Sequence, residues 1–549
     1  GHMSTDTTPR PDPGRRHDAT AMTATARGKR TPTELDSGDA PELSRGLENR
    51  HLQLIAIGGA IGTGLFLGSG RTISLAGPSI LLVYLIIGFF LFFVMRAMGE
   101  LLLSNLAYKS FADFATDLIG PWAGFYIGWT YWMCWVVIGI ADTTAITGYL
   151  AEWFPNQPKW IPALVVVVLL TGLNMVAVKI FGEMEFWFAM IKIVTIVALI
   201  LVGGYLAITS FQPPVAGAPP ASIAHLWNRG GFFPTGFMGF VAGFQIAIFS
   251  FQGIEMAGTA AAETANPEHN LPRAINSIPA RVIIFYVLAL GVIMSVQPWD
   301  LIDPDKSPFV EMFSFIGVLI AFHIVNFVVL TSAASSANSG VFSTSRVMYG
   351  LAREKNAPSV FAKLSDRHIP RNALILTAFC ISPSIILVML SDSVMDAFSL
   401  VAGVSSVLYL SVWGLILVSY LCYLRKYPER HAESNFKMPA GRFMSWAGLV
   451  FFAVIVVMLA MNKESRMALL AAPVWVLFLA LMYRALRETR STAVPIDYDA
   501  ERIREAEKVR QHVDEYHANK ATQKNRRGSG KAQDLGDESH DEIQEEDGR

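Results

Sequence analysis

Charge is scarce in this chain. Of its 549 residues only 16% are Asp, Glu, Lys or Arg, while 52% are hydrophobic, a balance outside the range of soluble globular proteins. Cysteine is scarcer still. The three present, Cys134, Cys380 and Cys422, sit far apart inside apolar runs, which excludes a disulfide framework and a cysteine metal site. The histidines are scattered, no nucleophile stands with a base, and the segment GGAIGTG follows no strand and lacks the lysine of a phosphate loop. An enzyme is therefore not expected, nor a cofactor, a metal or a nucleic-acid partner. No short apolar segment precedes the first long run, so a cleavable signal peptide is not expected either.

What the chain has instead is long apolar runs, recurring from about residue 51 to 486. A helix needs about 20 residues to cross the hydrocarbon of a bilayer, and on that ruler the chain is an all-α membrane protein of about twelve spans. Lys and Arg are about threefold richer in the segments that face inward if both ends are cytoplasmic, which fixes that orientation. Residues 1–40, opening on a Gly-His-Met tag scar, read as a disordered cytoplasmic N-terminus. Residues 41–490 are the transmembrane domain. Residues 491–549 are a polar cytoplasmic tail, mostly disordered, with one candidate surface helix in AERIREAEKVRQHVDEYH.

The first span holds GGAIGTGLFLGSG, residues 58 to 70, and each glycine there weakens a helix by up to about 1 kcal/mol relative to alanine. The sixth span, GFMGFVAGFQIAIFSFQGIEMAGTAAAET, places Gly253 and Glu255 near its middle. Interrupted helices at matching positions of two halves point to a secondary transporter with inverted repeats, spans 1 to 5 and 6 to 10. A break at Ile61, Gly62, Thr63 and Gly64 frees backbone N–H groups for a carboxylate. A break near Gly253 frees carbonyls for an ammonium group, and one zwitterion fits both. Close helix packing through small residues is the other reading of the glycines.

The segments ENRHLQLIAIGGAIGTGLFLGSG, KSFADFATDLIGPWAGFYIGWTYW, AGFQIAIFSFQGIE and VVLTSAASSANSGVFSTSR resemble the amino acid transporter family of the amino acid-polyamine-organocation superfamily, and the likeness runs from about residue 42 to 486. The resemblance implies a 5+5 inverted repeat (LeuT-like) with broken helices 1 and 6 and two extra C-terminal helices. It implies proton-coupled uptake of small neutral amino acids such as D-alanine, D-serine and glycine, with analogues such as D-cycloserine, through the bacterial cytoplasmic (inner) membrane. Exchange, or uptake of other L-amino acids, is the alternative, and the oligomeric state stays open. Carried over by position, Ile61 to Gly64 match the family's carboxylate-binding bend. Phe251, Gln252, Gly253, Ile254 and Glu255 match the bend that receives the amino group, with the aromatic as a lid. Gln252 departs from the small apolar residue expected there.

Lys192 is the most telling charge. It lies roughly 13 Å into the fifth span, too deep for its stem to reach the headgroups without strain. It reads as a proton carrier, or as a fixed cation tying spans 1, 5 and 8 together; the resemblance puts a lysine where sodium-coupled relatives hold their ion. Glu255 and Glu100 are further candidates for proton coupling. Ser335, Ser336 and Ser339 on the eighth span are candidates for the lining of the lysine pocket. Asp142 reads as a vestibule residue near the outer end of the third span, and Glu263, Arg273 and Arg346 as charges available for an inner gate. A channel is disfavoured, because charged pore rings and four-fold assembly motifs are absent.

Overall fold

The computed structural model describes residues 61–176, 181–256, 266–317, 319–365 and 369–545. The N-terminal tail, Gly58, Gly59 and Glu263 fall outside them. Residues 43–549 form one unit. Among the described residues there is no strand, and nine helical stretches are long and apolar enough to cross a membrane, with shorter apolar helices at Trp160–Met175 and Gly236–Phe249.

The chain enters through α1 (Thr63–Phe66) and α2 (Gly68–Ala76) and turns at Gly77. Gly77 has φ +64°, and a side chain there would meet Pro234 at 2.5 Å, so both conformation and space call for glycine. After it come α3 (Ile80–Ser104), α4 (Phe111–Leu118), α5 (Pro121–Trp153), α6 (Trp160–Val176) and α7 (Phe181–Ile208). The second half runs α8 (Gly236–Ala242), α9 (Phe244–Phe249), a π-helical stretch Val282–Leu288 leading into α10 (Ala289–Val296), α11 (Pro308–Ser314) and α12 (Leu319–Arg353). It ends with α13 (Arg371–Ile381), α14 (Pro383–Leu390), α15 (Val394–Lys426), α16 (Pro428–Glu433), α17 (Gly441–Met461) and α18 (Ala471–Ala485).

Burial separates the centre from the rim. The most apolar windows of α5 and α15 are 78% and 72% buried, against 28% for the fifth span and 22% for Ser465–Ala485. The rim helices turn Leu201, Phe379 and Leu477 outward, a face that only lipid covers without cost. α5 lies between α12 and α15 and packs along both, so its side chains meet those of most of the central helices.

The loop 303–307 is fastened to the first span. Ser307 donates its hydroxyl to the Phe66 carbonyl at 2.5 Å, Arg71 pairs with Asp305 at 3.3 Å and with Asp396 at 2.9 Å, and a side chain at Gly70 would lie 2.6 Å from the Lys306 carbonyl. At the other face lies α19 (Tyr498–Glu545), which includes the candidate surface helix of the tail. Its first turns are held by Asn105 to the Tyr498 carbonyl at 3.1 Å, Arg430 to Asp499 at 2.6 Å and Arg502 to the Ser104 carbonyl at 2.9 Å.

Candidate functional site

The helix start at Thr63 and the turn at 250–254 touch. Gly62 is extended, with φ −146° and ψ −155°, and the Leu65 and Phe66 N–H groups both bond to its carbonyl, at 3.2 and 3.1 Å. Because Ile61 and Gly62 are not helical, the first amides of α1 have no helical turn directly before them to bond to. In the sixth span α9 stops at Phe249, residues 250–254 form turns, and Gly253 takes φ +94°. A side chain on Gly64 would stand 2.8 Å from the Phe249 ring and 2.9 Å from Ser250 Cα. Gly64 is therefore a point of backbone contact between the two broken helices, whereas nothing lies within 4 Å of the corresponding position on Gly62. Ile61 and Ile254 are buried on either side.

Beside the first break lies a buried polar group. Thr63 donates its hydroxyl to Asp142 Oδ1 at 2.8 Å, Ser336 faces the same carboxylate, and Lys192 stands near enough to Asp142 and Glu185 to act on both charges. Glu185 in turn accepts from Ser335 at 2.8 Å. All of Thr63, Asp142, Lys192 and Ser335 are under 5% exposed. Spans 1, 3, 5 and 8 thus converge on one patch of opposite charge. Asp142 is corrected from a vestibule residue to a member of this patch. Helix period explains it: α5 is buried nearly all round, so Asp142 has a helix to meet in whichever direction it points. Ser339 lies one helical turn from Ser335 and is half-buried, with no hydrogen bond described for its hydroxyl.

Beside the second break, Glu255 is fully buried and accepts from Tyr409 at 2.9 Å and from Tyr131 at 3.3 Å. Gln252 accepts from Ser405 at 2.5 Å, and its amide nitrogen is buried with no hydrogen-bond partner. Phe251 is fully buried, its ring stacked on Tyr286 at 5.0 Å and tilted against Tyr84 at 5.9 Å. Tyr286 also donates to the Ser250 carbonyl at 2.7 Å, satisfying a backbone group that the break releases.

Glu100 belongs to another place. It is buried at the end of α3, with His431 Nδ1 of α16 2.6 Å from Oε1, and no contact joins it to Lys192 among the described residues. The inner-gate pairing through Glu263 lies outside the described residues; within them, Arg273 meets His269 at 3.3 Å and Arg346 lies over the Phe342 ring at 3.8 Å. Sequence reasoning missed Tyr131, Tyr409 and Ser405. Nothing in their local sequence marks them, since an aromatic or serine in a membrane helix is ordinary. Asp142 did carry a signal, being a carboxylate in an apolar run.

The helix start at Thr63 packed against the turn at 250–254, beside buried charge and among long apolar helices, is the architecture of a multi-pass membrane transporter. Residues 51–485 match the family model described as amino acid permease. The chain is 58% identical to the D-serine/D-alanine/glycine transporter of Escherichia coli K12, over 82% of this chain and 95% of that one. It is 47% identical to amino-acid permease AapA of Bacillus subtilis, over 81% and 96%, and 39% identical to the aromatic amino acid transport protein AroP of Escherichia coli K12, over 80% and 95%. The protein belongs to the amino acid permease family.

Proposed function

We propose that the protein takes up small neutral amino acids, with D-alanine, D-serine and glycine as cargo, by proton-driven alternating access across a bacterial inner membrane. In this reading twelve helices form a 5+5 inverted repeat with two added C-terminal helices, and both termini are cytoplasmic. The observation that carries it is the meeting of the two breaks at Gly64 and Ser250 with the Thr63, Asp142 and Lys192 patch beside them. The cargo follows the 58% identical relative.

The substrate carboxylate takes the N–H groups at the start of α1, beside the open space at Gly62, and its ammonium takes the carbonyls at 250–254. A small side chain suits a site bounded by Ile61, Ile254 and the buried stack of Phe251. The carboxylates near the breaks have partners of their own: Asp142 holds Thr63 and lies beside Lys192, and Glu255 holds two tyrosines. A cationic side chain would have to displace them.

Lys192 and Asp142 carry the coupling proton between them. Because Thr63 belongs to α1 and also bonds Asp142, protonation of that carboxylate weakens its hold on the first span. Charge in the patch is thereby linked to the tilt of a substrate-binding helix. The proton gradient is the only driving force the reading requires.

Uptake of radiolabelled D-alanine, D-serine and glycine into proteoliposomes, with and without an inward proton gradient, tests it. Accumulation above the outside concentration only with the gradient is expected. Equal uptake of lysine or glutamate would overturn the cargo, and equal exchange with no gradient dependence would favour an exchanger.

A further inference from the structure

The first turns of α19 form a clasp. Tyr498 touches one segment three times: its carbonyl accepts from Asn105 at 3.1 Å, its ring tilts against Tyr108 at 5.5 Å, and its hydroxyl donates to Asp113 of α4 at 3.4 Å. Glu354, one residue past α12, stands near enough to Asp113 and Tyr498 to act on both. The next two turns add charged contacts. Asp499 receives Arg430 of α16 at 2.6 Å, Arg502 donates to the Ser104 carbonyl at 2.9 Å, and Glu505 pairs with Lys109 at 3.3 Å while also meeting Lys508 at 3.0 Å. Arg430 also lies over the Tyr427 ring at 3.7 Å, so its guanidinium is held from its own side of the clasp as well. Past Val513 every described side chain of α19 is exposed.

The segments clasped belong to two groups. Ser104 and Asn105 end α3, and the other end of α3 supports the turn at 250–254: the Tyr84 and Ser250 hydroxyls are 3.5 Å apart, and the Tyr84 ring lies against Phe251. Asp113 belongs to α4 and Arg430 follows α15, and both α4 and α15 pack along α5. A turn that moves relative to α5 takes α3 with it. While α19 is docked, the C-terminal end of α3 is tied to the helices that stay with α5. Contacts that do not involve α19 join the same groups, among them Glu100 to His431 at 2.6 Å, so losing the clasp loosens α3 without releasing it.

We propose that α19 is a brake on transport, which when docked holds the end of α3 to α4 and α16 and so limits how often this face of the domain opens. The clasp touches none of residues 61–64 or 250–254, so cargo binds equally well with the tail docked or released, and only the rate of the cycle changes. The brake is a light one. Asp499 and Lys109 are 68% and 59% exposed, and ion pairs so placed are weak, so the clasp opens and closes rather than locking. The residues matched to the permease family end at 485, and the clasp lies outside the machinery that the family shares. That this face is the inner one rests on the topology proposed above; the clasp itself does not.

The full chain carrying Asp499→Asn, Arg502→Gln and Glu505→Gln together tests the proposal, with Asp514→Asn and Lys520→Gln on the exposed part of α19 as the control. Hydrogen exchange read by mass spectrometry needs no cargo. In the triple variant the amides of 104–110 and 428–433 should exchange about tenfold faster, those of 63–67 and 250–254 should follow, and α5 should not change. In proteoliposomes with an inward proton gradient, the maximal rate of D-alanine uptake should rise about threefold with KM unchanged. The control should match the parent in both measurements. Unchanged exchange at 104–110 overturns the clasp. Faster exchange there with none at 63–67 and 250–254, uptake no faster than the parent's, or a control that speeds up as much as the triple variant overturns the brake. A parent that takes up no D-alanine fails the cargo reading alone, and the exchange at 63–67 and 250–254 then decides the brake.

Discussion

Thr63 and Asp142, 79 residues apart, share a buried hydrogen bond of 2.8 Å. One residue begins the helix that follows the first break, and the other stands on the most enclosed helix of the molecule. The helix that starts at Thr63 is thereby tied through a buried hydrogen bond to α5, which the rest of the domain holds in place.

Thr63→Val should keep the fold and lose the anchor. The carboxylate then has one fewer donor, a loss of about 1.5–3 kcal/mol for a charged acceptor. D-alanine uptake in proteoliposomes should fall at least about tenfold, and Thr63→Ser should restore most of it. Uptake by Thr63→Val equal to the parent would remove the bond from the transport cycle.

Lys192→Met retains the stem and removes the amine. Counterflow of D-alanine between loaded and empty faces should persist, whereas accumulation driven by an inward pH gradient should be lost. A variant that accumulates as the parent does, with the same pH dependence, would send the proton by way of Glu255 or Glu100.

Gly62 and Gly64 should part company. Gly64→Ala drives a carbon to within 3 Å of Ser250 Cα, so the two broken helices must separate; overpacking of this kind costs about 1–3 kcal/mol, read as a lower Tm in detergent. Gly62→Leu has room and an extended backbone. It should keep the parent Tm and lose high-affinity D-alanine binding by at least about tenfold.

The non-helical Gly62 and the turn at 250–254 were legible in the sequence because such backbone is written in residues that tolerate it: glycine at 62 and 253. Lys192 was legible for the opposite reason, as a charge that apolar surroundings make conspicuous. Asp142 showed the limit of counting depth along a span. Depth places a residue along the membrane normal but not around the helix, and only packing showed that it meets Thr63. Tyr131 and Tyr409 were illegible, since what matters in each is a hydroxyl aimed at Glu255, and aim is a tertiary property. The turn at Gly77 likewise depended on contact with a distant segment, Pro234.

Away from the site, Arg229 clasps Asp300 through two hydrogen bonds, of 3.1 and 2.5 Å. Those bonds hold the Asp300 carboxyl below its usual value. A depressed carboxyl contributes stability above its unfolded value, near pH 4, and loses it only as pH falls through the folded one. The Tm difference between parent and Asp300→Asn should therefore be constant from pH 7 to 5 and shrink towards pH 3. The pair is partly exposed, so the difference should correspond to no more than about 1 kcal/mol. A difference that vanishes already at pH 5 would contradict the pairing.

The fastening of loop 303–307 to the first span also makes the loop an indicator needle. Ser307 is tied to the Phe66 carbonyl and Lys306 lies against Gly70, so the loop cannot stay behind when that span tilts. Its tip, Asp305, is 58% exposed. A fluorophore carried on that tip would swing with a helix otherwise hidden from solvent, and single-molecule distances to a second dye on the rim would time each tilt directly.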